Sequence, residues 1–513
     1  MLIHAPNLFS SPEYLLSLPI VLLTLFAAGT MLLDSIVPPE WKWINIATAM
    51  AGVLFSAAGV MRIQSIQAQL EGSGRRLEWA FGHSVLVDHL SIYFYYLFLV
   101  SAAITILMSV RQVKVPGVQQ GKIYALISLS VAGMMCMASG FDIVIIFVGL
   151  ELVSVSTYLL VGCLAKDRGE RETGLKYFLR GAFSSAVFAG GLSLLYGLTG
   201  STNLQLISQG LKNIPHDRSM PGSHALVILA VALTTAGLAF KIAAMPFHRW
   251  MLDLCEGSPA SIAGFISVAF QVAGWAMLLR ILLWGLYSVR AEYLPMLITV
   301  AVLSTGGASI AALVQTSLTR LFAYSSITQG GFIIFGLISL ASVQYPAPAF
   351  FEGFKGILFY LLAYTLMNLG VFAIVASLQT PSLTRNRRRD EIENMAGLFY
   401  RDPAIAIFMA IFLFSLAGMP LFAGFYGKYF ILHSLFASGH YVLAALAIVC
   451  SLIGVYYYWR IGQVMFIRDP HLTPAWTGVP VRVGIGVAAV FTVIIGIHPK
   501  PLVQAIEWSL RLT

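Results

Sequence analysis

The feature that most constrains this sequence is a succession of long apolar runs, each about as long as a membrane is thick. A helix needs about 20 mainly apolar residues to cross the hydrocarbon core, and fourteen segments of the chain satisfy this requirement. Only 10% of the 513 residues are charged, whereas soluble domains carry about 25% charged residues. The sequence therefore predicts an all-α, polytopic membrane protein of about fourteen transmembrane helices.

Polar segments and turns of unequal length separate the predicted spans. A turn signal at Ser139–Gly140 divides the fourth span from the fifth. In chain order the fourteen predicted spans are 15–36, 42–62, 84–110, 121–140, 142–164, 174–198, 224–247, 259–286, 293–316, 319–343, 354–379, 403–436, 439–465 and 480–498.

Two of these spans carry helix-breaking residues. The seventh contains Pro246 in KIAAMPFHRW, and the twelfth contains Gly418 and Pro420 in SLAGMPLFAGFYGK. Proline removes a backbone donor, and in a membrane the freed groups need partners from protein or water. Because the breaks fall five spans apart, we expect two inverted five-helix repeats and an ion pathway near the midplane. A simple packing kink is the alternative at each break.

The repeats divide the chain into four predicted regions, of which the second and third each hold five spans. They are an N-terminal three-helix segment (1–118), a first antiporter-like repeat of spans 4–8 (119–288), a second repeat of spans 9–13 (289–466) and a C-terminal helix (467–513).

The net charge of +9 comes from basic residues in short loops and not from a basic helix. This pattern indicates membrane topology and argues against nucleic-acid binding. The more basic loops contain Lys42, Arg111, Lys114, Lys166, Arg168, Arg171, Arg320, Arg385, Arg387, Arg388 and Arg389. Loops on the side of the termini contain Arg75, Arg76, Lys212, Arg218 and Arg290. The positive-inside rule therefore predicts that both termini are outside.

Cofactor motifs are missing from the sequence. The four cysteines stand singly in apolar runs with no CxxC, and neither GxGxxG between a strand and a helix nor GxxxxGK[ST] occurs. Iron–sulfur clusters need grouped thiolates, and nucleotide sites need glycine-rich loops. We expect no cofactor or metal in this chain.

Charged residues inside the apolar runs are the main functional signal. Glu151 lies in IVIIFVGLELVSVSTYLL, and Lys241 ends HALVILAVALTTAGLAFK. A buried charge costs several kcal/mol unless it is paired or hydrated. We expect these two residues to pair, because a pair balanced between mutual attraction and desolvation can capture or release a proton when its separation changes. A structural ion pair for Glu151 and snorkelling of Lys241 to the interface are the alternatives.

Four further residues are candidates for proton transfer. Lys428 follows the second break, and Lys176 opens the sixth span, where it could instead anchor the membrane interface. His248 follows Lys241 by seven residues, although the intervening break leaves their alignment open. Gln271 is the one strongly polar side chain near the middle of the eighth span; its amide cannot exchange a proton, but it can order water.

Six motifs together resemble the antiporter-like membrane subunits of respiratory complex I, over about residues 80–465. The lysine of AGFYGK and the short C-terminus favour the subunit N type over subunits M and L. The motifs, in chain order, are VGLELVSVSTYLL, KYFLRGAFSSA, FKIAAMPFHRWMLDLCEGSPASI, RLFAYSSITQGGF, YLLAYTLMNLG and SLAGMPLFAGFYGKYF.

The resemblance implies a role for each charged candidate. Glu151 and Lys241 match the family's key carboxylate and its lysine partner, Lys176 matches a lysine of the sixth span, and Lys428 matches the exit-side lysine. The family's central lysine is replaced by Gln271 in SVAFQVAG. Either water ordered by this amide completes the relay, or transfer is weakened here.

The resemblance also implies an activity and an assembly. The chain is expected to be a proton-translocating subunit of NADH–quinone oxidoreductase in the bacterial inner membrane. NADH, FMN, the iron–sulfur clusters and quinone would belong to partner subunits, and the neighbours would be subunit M and the small K- and J-type subunits. The alternatives are a subunit of a cation/proton antiporter or membrane-bound hydrogenase, and a scaffold that has lost transport.

Overall fold

The described part of the chain is almost entirely helical. The computed structural model describes residues 12–71, 77–113, 119–165, 168–214, 221–378, 391–470 and 479–509. Within these ranges twelve helices are long and apolar enough to cross a membrane, or thirteen if one bent pair is a single span. The all-α, polytopic class is confirmed, while the count of fourteen spans and the inverted repeats stay predictions. Basic positions 75, 76, 114, 166, 218 and 385–389 lie outside the described residues.

Three helices form the N-terminal segment: α1 (Pro12–Ile36), α2 (Trp43–Glu71) and α3 (His89–Val113). A two-stranded hairpin, β1 (Trp79–Ala80) and β2 (Val85–Leu86), precedes α3. The third span was predicted to begin at residue 84, five residues before α3, so its predicted start wrongly includes strand β2. Hydropathy does not separate an apolar strand from the apolar helix that follows it.

The first half of the remaining chain contains eight helices. Two π-helical segments, Ile266–Phe270 and Ile281–Gly285, follow α10 and α11 within one long buried helix. The α-helices are α4 (Gln120–Ser139), α5 (Ile143–Leu164), α6 (Arg168–Thr199), α7 (Leu204–Asn213), α8 (Pro221–Lys241), α9 (Arg249–Gly257), α10 (Ala260–Phe265) and α11 (Gln271–Arg280).

The second half contains the other ten helices. A π-helical segment, Leu303–Gly307, joins α12 to α13. The helices are α12 (Arg290–Val302), α13 (Ala308–Leu313), α14 (Leu318–Ser342), α15 (Pro348–Leu378), α16 (Leu398–Arg401), α17 (Pro403–Ala417), α18 (Ala423–Ala437), α19 (Tyr441–Ile467), α20 (Val479–Ile497) and α21 (Lys500–Ser509).

Both predicted breaks are present. Helix α8 ends at Lys241, before Pro246, and the chain becomes helical again in α9. Helices α17 and α18 are 15 residues each and are separated by a turn in which Gly418 has φ +85°. An L-residue is strained at such a φ, so glycine suits this turn. Almost every residue is buried in α10 and α11 of the first half and in the long α14 and α15 of the second half.

The loops gather on two opposite sides. On what we call the hairpin side, Phe141 N donates to Ser84 O at 2.9 Å, and the His89 ring lies 3.7 Å from that of Trp508 on α21. Helix α21 turns 89° from α20 to reach this position. On the other side, which we call the cavity side, Arg180 pairs with Asp253.

Candidate functional site

Lys241 is buried at the end of α8 and is bound by hydroxyl groups. Its Nζ donates to Ser185 Oγ of α6 at 3.1 Å and to Ser154 Oγ of α5 at 3.4 Å. The side chain is 1% exposed, and the Phe270 ring lies 5.9 Å from the ammonium. The snorkelling alternative therefore does not describe this lysine.

Glu151 lies on α5 one helical turn before Ser154. It is half-buried, and its Oε1 is buried and accepts no hydrogen bond from a described residue. Its carboxylate makes no ion-pair contact with Lys241; Ser154, on the next turn of α5, supplies the hydroxyl that Lys241 binds. Direct pairing of Glu151 with Lys241 stays a prediction.

Side chains from other helices satisfy the backbone groups freed at the first break. Gln271 Nε2 donates to Ile242 O at 2.6 Å, and Trp250 Nε1 donates to Phe240 O at 2.9 Å. Met245 N donates to Ser304 Oγ at 2.9 Å. The break is therefore a fixed joint with paired polar groups, as the bilayer requires.

Gln271 connects this joint to the centre of the molecule. It is 1% exposed, and its Oε1 accepts a hydrogen bond from Tyr364 Oη at 2.5 Å. Tyr364 Oη also lies 2.9 Å from Ser267 O. Both ends of the Gln271 amide are thus held by protein groups, and its orientation is fixed.

Lys428 occupies the second break. Its Nζ donates to Leu416 O at 2.9 Å, to Ala417 O at 3.3 Å and to Ser451 Oγ at 3.2 Å. The two carbonyls are the free end of α17, where the helix dipole favours a cation. The residue is 6% exposed and forms no ion pair with a described carboxylate.

Gln329 connects the second break to α15, the helix that also carries Tyr364. Its Nε2 donates to Leu416 O at 3.2 Å, the carbonyl that Lys428 also binds, and its Oε1 accepts a hydrogen bond from Tyr360. Tyr360 and Tyr364 lie one turn apart on α15. Lys241, Gln271, Tyr364, Tyr360, Gln329 and Lys428 form a buried series that we call the polar axis.

Lys176 and His248 lie away from the polar axis, at a cavity of about 420 Å³ on the cavity side. Lys176 is half exposed and pairs with Glu172 at 2.6 Å. His248 precedes α9, is half-buried, and its Nδ1 accepts no hydrogen bond from a described residue. The structure therefore does not bring these two residues together with Lys241 and Lys428.

One buried ion pair was not predicted from the sequence. Arg280 is 0% exposed and binds both carboxylate oxygens of Asp88, with Nη1 at 2.8 Å from Oδ2. Its Nε donates to Ala138 O at 2.9 Å, and Nη2 donates to Ser91 Oγ at 2.8 Å. Asp88 and Arg280 both lie inside predicted spans, so each is a charge in an apolar run, but they are 192 residues apart and their spacing gave no sign that they pair.

The fold and the polar axis define a class: a multi-pass membrane protein with lysines buried at two broken helices. The family described as NADH:quinone oxidoreductase/Mrp antiporter, transmembrane, matches residues 140–454, more than half of the chain. The protein belongs to this family, within the group of NADH-quinone oxidoreductase subunit N proteins.

Relatives and solved structures agree with this assignment. NADH-quinone oxidoreductase subunit N 1 of Koribacter versatilis is 43% identical over 99% of this chain and 97% of its own length. A chain of respiratory complex I from Thermus thermophilus superposes with a TM-score of 0.77 at 28% identity, over 95% of this chain and 99% of that one. A chain of the Mrp complex from a Dietzia species shares the fold alone, with a TM-score of 0.78 at 17% identity over 96% and 97% of the two chains.

Proposed function

We propose that this chain translocates protons as a membrane subunit of NADH–quinone oxidoreductase and that the polar axis is its route. The observation that carries the proposal is the burial of Lys241 and Lys428 at the two helix breaks, each bound only by neutral oxygens of the described residues. Buried ionisable groups in membrane proteins are costly and mark ion pathways. The family membership supports the same function.

The carboxylate of Glu151 controls the first lysine. While Glu151 is charged and near, its field favours the ammonium form of Lys241; moving or neutralising the carboxylate leaves only the serine hydroxyls and favours proton release. Ser154, on the next turn of α5, links the two positions. Quinone reduction in partner subunits would supply the change at Glu151.

The proton then passes along the polar axis to Lys428. Tyrosine hydroxyls both donate and accept hydrogen bonds, whereas glutamine amides fix the direction of their neighbours without titrating. Gln271 thus takes the place of the family's lysine by holding Tyr364 at 2.5 Å. Tyr364 and Tyr360 are separated by one helical turn, which is about 5.4 Å and too long for a direct hydrogen bond. Water between the two hydroxyls therefore completes the path.

The cavity lined by Lys176 and His248 is the proposed proton entrance. It opens on the cavity side, where the exposed Arg168 and Arg171 also lie, and the positive-inside rule makes this side cytoplasmic. The hairpin side, with both ends of the described chain, then faces the periplasm. Proton flow is therefore from the cavity toward the hairpin side.

The first test removes the amine of the first break. Lys241→Ala is expected to lower coupled activity about a hundredfold, near the lower limit for loss of a proton-transfer group. The measurement is quinone reduction and proton pumping by the intact complex in vesicles. Lys122→Ala, an exposed lysine on α4, is the control and should behave as wild type. Full pumping by Lys241→Ala would refute the proposal.

The partners are also part of the proposal. We expect the chain to copurify with subunit M, with small K- and J-type subunits, and with the subunits that hold FMN, iron–sulfur clusters and the quinone site. A purified assembly without flavin or iron–sulfur subunits, showing sodium-dependent transport, would instead identify a cation/proton antiporter.

A further inference from the structure

A row of polar residues follows Lys428 along α18 toward the hairpin side. Ile431 and Ser434 follow Lys428 at intervals of three residues on one face of α18, and Ser438, the residue directly after α18, continues this line four residues further on. This face packs against α14 and α15. The proposed function brings a proton to Lys428 but does not say how the proton leaves.

Serines of α14 meet this face of α18. Ser434 Oγ lies 3.1 Å from Ser339 Oγ, and Ser438 Oγ lies 3.4 Å from the same atom. Ser339 and Ser434 are each 0% exposed. One helical turn beyond Ser339, Ser342 Oγ lies 2.7 Å from His440 Nε2, in the turn between α18 and α19.

Most of these hydroxyls have a choice of acceptor. The single O–H of Ser434 can bond to Ile431 O at 2.8 Å or to Ser339 at 3.1 Å. Ser342 has Ile338 O and His440 Nε2, both at 2.7 Å. A hydroxyl that donates in two directions can pass a proton on and then turn back, which a chain of proton transfers requires.

His440 ends the row at the hairpin side. It lies outside the helices, half-buried, and burial lowers its pKa below the usual value of a histidine. The lowered pKa favours the neutral form of the ring, in which one nitrogen is an acceptor. A lowered pKa also makes the protonated ring release that proton readily to bulk water.

Ile431 separates Lys428 from the first serine. It is 0% exposed, and its side chain fills the space beside Gly336 and Gly356, where an added Cβ would lie 3.5 Å and 3.0 Å from Ile431 Cγ1, respectively. Lys428 and Ser434 are about 9 Å apart along the helix axis. Ile431 offers no side-chain hydrogen-bonding group, so a proton can cross this segment only by way of water, and apolar constrictions of this kind gate channels.

We propose that protons leave Lys428 toward the hairpin side past Ile431, along an exit ladder made of Ser434, Ser339, Ser438, Ser342 and His440. One N–H bond of the Lys428 ammonium breaks, and one proton reaches the His440 ring and then bulk water, so the ladder returns to its starting state. Ile431 is the gate, and water joins the ladder where no direct hydrogen bond exists. The inference rests on the proposed function of Lys428.

The ladder is tested with the intact complex in lipid vesicles, by the ratio of protons pumped to quinone reduced. The double variant Ser339→Ala/Ser434→Ala should lower this ratio as far as Lys428→Ala does. Ser101→Ala removes a buried hydroxyl bonded only within its own helix and should leave the ratio unchanged. A wild-type ratio in the double variant, with a reduced ratio in Lys428→Ala, would overturn the ladder and leave the proposed function standing. A wild-type ratio in Lys428→Ala would overturn the proposed function itself.

The two histidines of this region provide a matched comparison. His440→Ala should lower the pumping ratio, and imidazole added on the hairpin side should restore it, since a mobile base replaces the missing ring. His433→Ala, whose side chain is 53% exposed on another face of α18, should pump normally. Failure of imidazole to restore pumping, or an equal loss in His433→Ala, would contradict the role of His440.

The gate is tested by a gain of proton conductance. Ile431→Ser should admit water between Lys428 and Ser434 and increase the passive proton leak of vesicles without substrate. A leak equal to that of wild type would remove Ile431 from the proposal.

Discussion

Each buried lysine is held by neutral oxygens and not by a neighbouring carboxylate. Lys428 has two backbone carbonyls and one hydroxyl, and Lys241 has two hydroxyls. With so few hydrogen-bond partners, the free-energy cost of removing the charge from water is only partly offset. The protonation of each lysine therefore responds strongly to small changes in nearby charge, which suits a proton carrier better than a structural anchor.

Replacement of Gln271 should show whether its amide supports the relay. Gln271→Leu leaves Ile242 O without its partner, which costs about 1–3 kcal/mol for a buried group, and removes one of the two acceptors of the Tyr364 hydroxyl, which keeps Ser267 O. Lysine in place of Gln271 can still donate to Ile242 O, and it restores the residue that the family resemblance leads us to expect. We expect Gln271→Leu to lower the pumping ratio and Gln271→Lys to keep it, measured in vesicles. Equal ratios in wild type and Gln271→Leu would show that this position does not limit transfer.

At the scale of single residues, the sequence predicted the burial of Lys241 and Lys428 but not which groups these lysines contact. Lys241 and Lys428 stand out in the sequence because a charged residue inside an apolar run is costly to bury and usually marks a functional site. The hydroxyl of Ser185 is 56 residues from Lys241, and the carbonyl of Leu416 lies across the helix break from Lys428, so helical spacing could not reveal either contact. Lys176 was an even choice between relay and interface; its exposed pair with Glu172 places it at the cavity.

Among the elements, helices from distant parts of the chain are tied together by the Asp88–Arg280 pair. Asp88 directly precedes α3, Arg280 ends α11, and the Ala138 carbonyl at the end of α4 accepts from the same guanidinium. The bidentate geometry fixes both distance and angle between the helices. The pair therefore sets the position of α11, which carries Gln271.

Breaking this pair should destabilise the protein more than removing both of its charges. Arg280→Met leaves a buried carboxylate alone, which costs about 3–5 kcal/mol, whereas Asp88→Asn/Arg280→Met removes both charges and should recover part of that loss. The measurement is the midpoint of thermal unfolding of the purified complex. Arg482→Met, which breaks the exposed pair with Asp402, should cost at most about 1 kcal/mol. A double variant less stable than Arg280→Met would contradict this account.

Helices were predictable where their signal is local. The break near Pro246 and the one at Gly418 were correctly placed because proline and glycine act on their own turn. The amphipathic α7 escaped prediction because its 10 residues bury only Leu204, Ile207 and Leu211. No such short helix stands out in a search for runs of about 20 apolar residues.

For the whole molecule, the main prediction concerns which side faces out. In a cysteine-free background, Lys212→Cys on the hairpin side should react with a membrane-impermeant maleimide added to intact right-side-out vesicles. Arg171→Cys on the cavity side should react only after permeabilisation. Both positions are exposed, so detergent-solubilised protein serves as the control in which both react. The reverse pattern would invert the proposed orientation and the direction of proton flow.

The two helix breaks are fastened in the same way. Gln271 holds the carbonyl that follows α8, and Gln329 holds the carbonyl near the end of α17. Because neither amide gains or loses charge, the hydrogen bonds at both helix breaks can persist whichever lysine carries the proton. On the proposed route, the helices therefore need not alternate between inward- and outward-facing conformations. Protons can advance by rearrangement of hydrogen bonds while the helix scaffold stays in place.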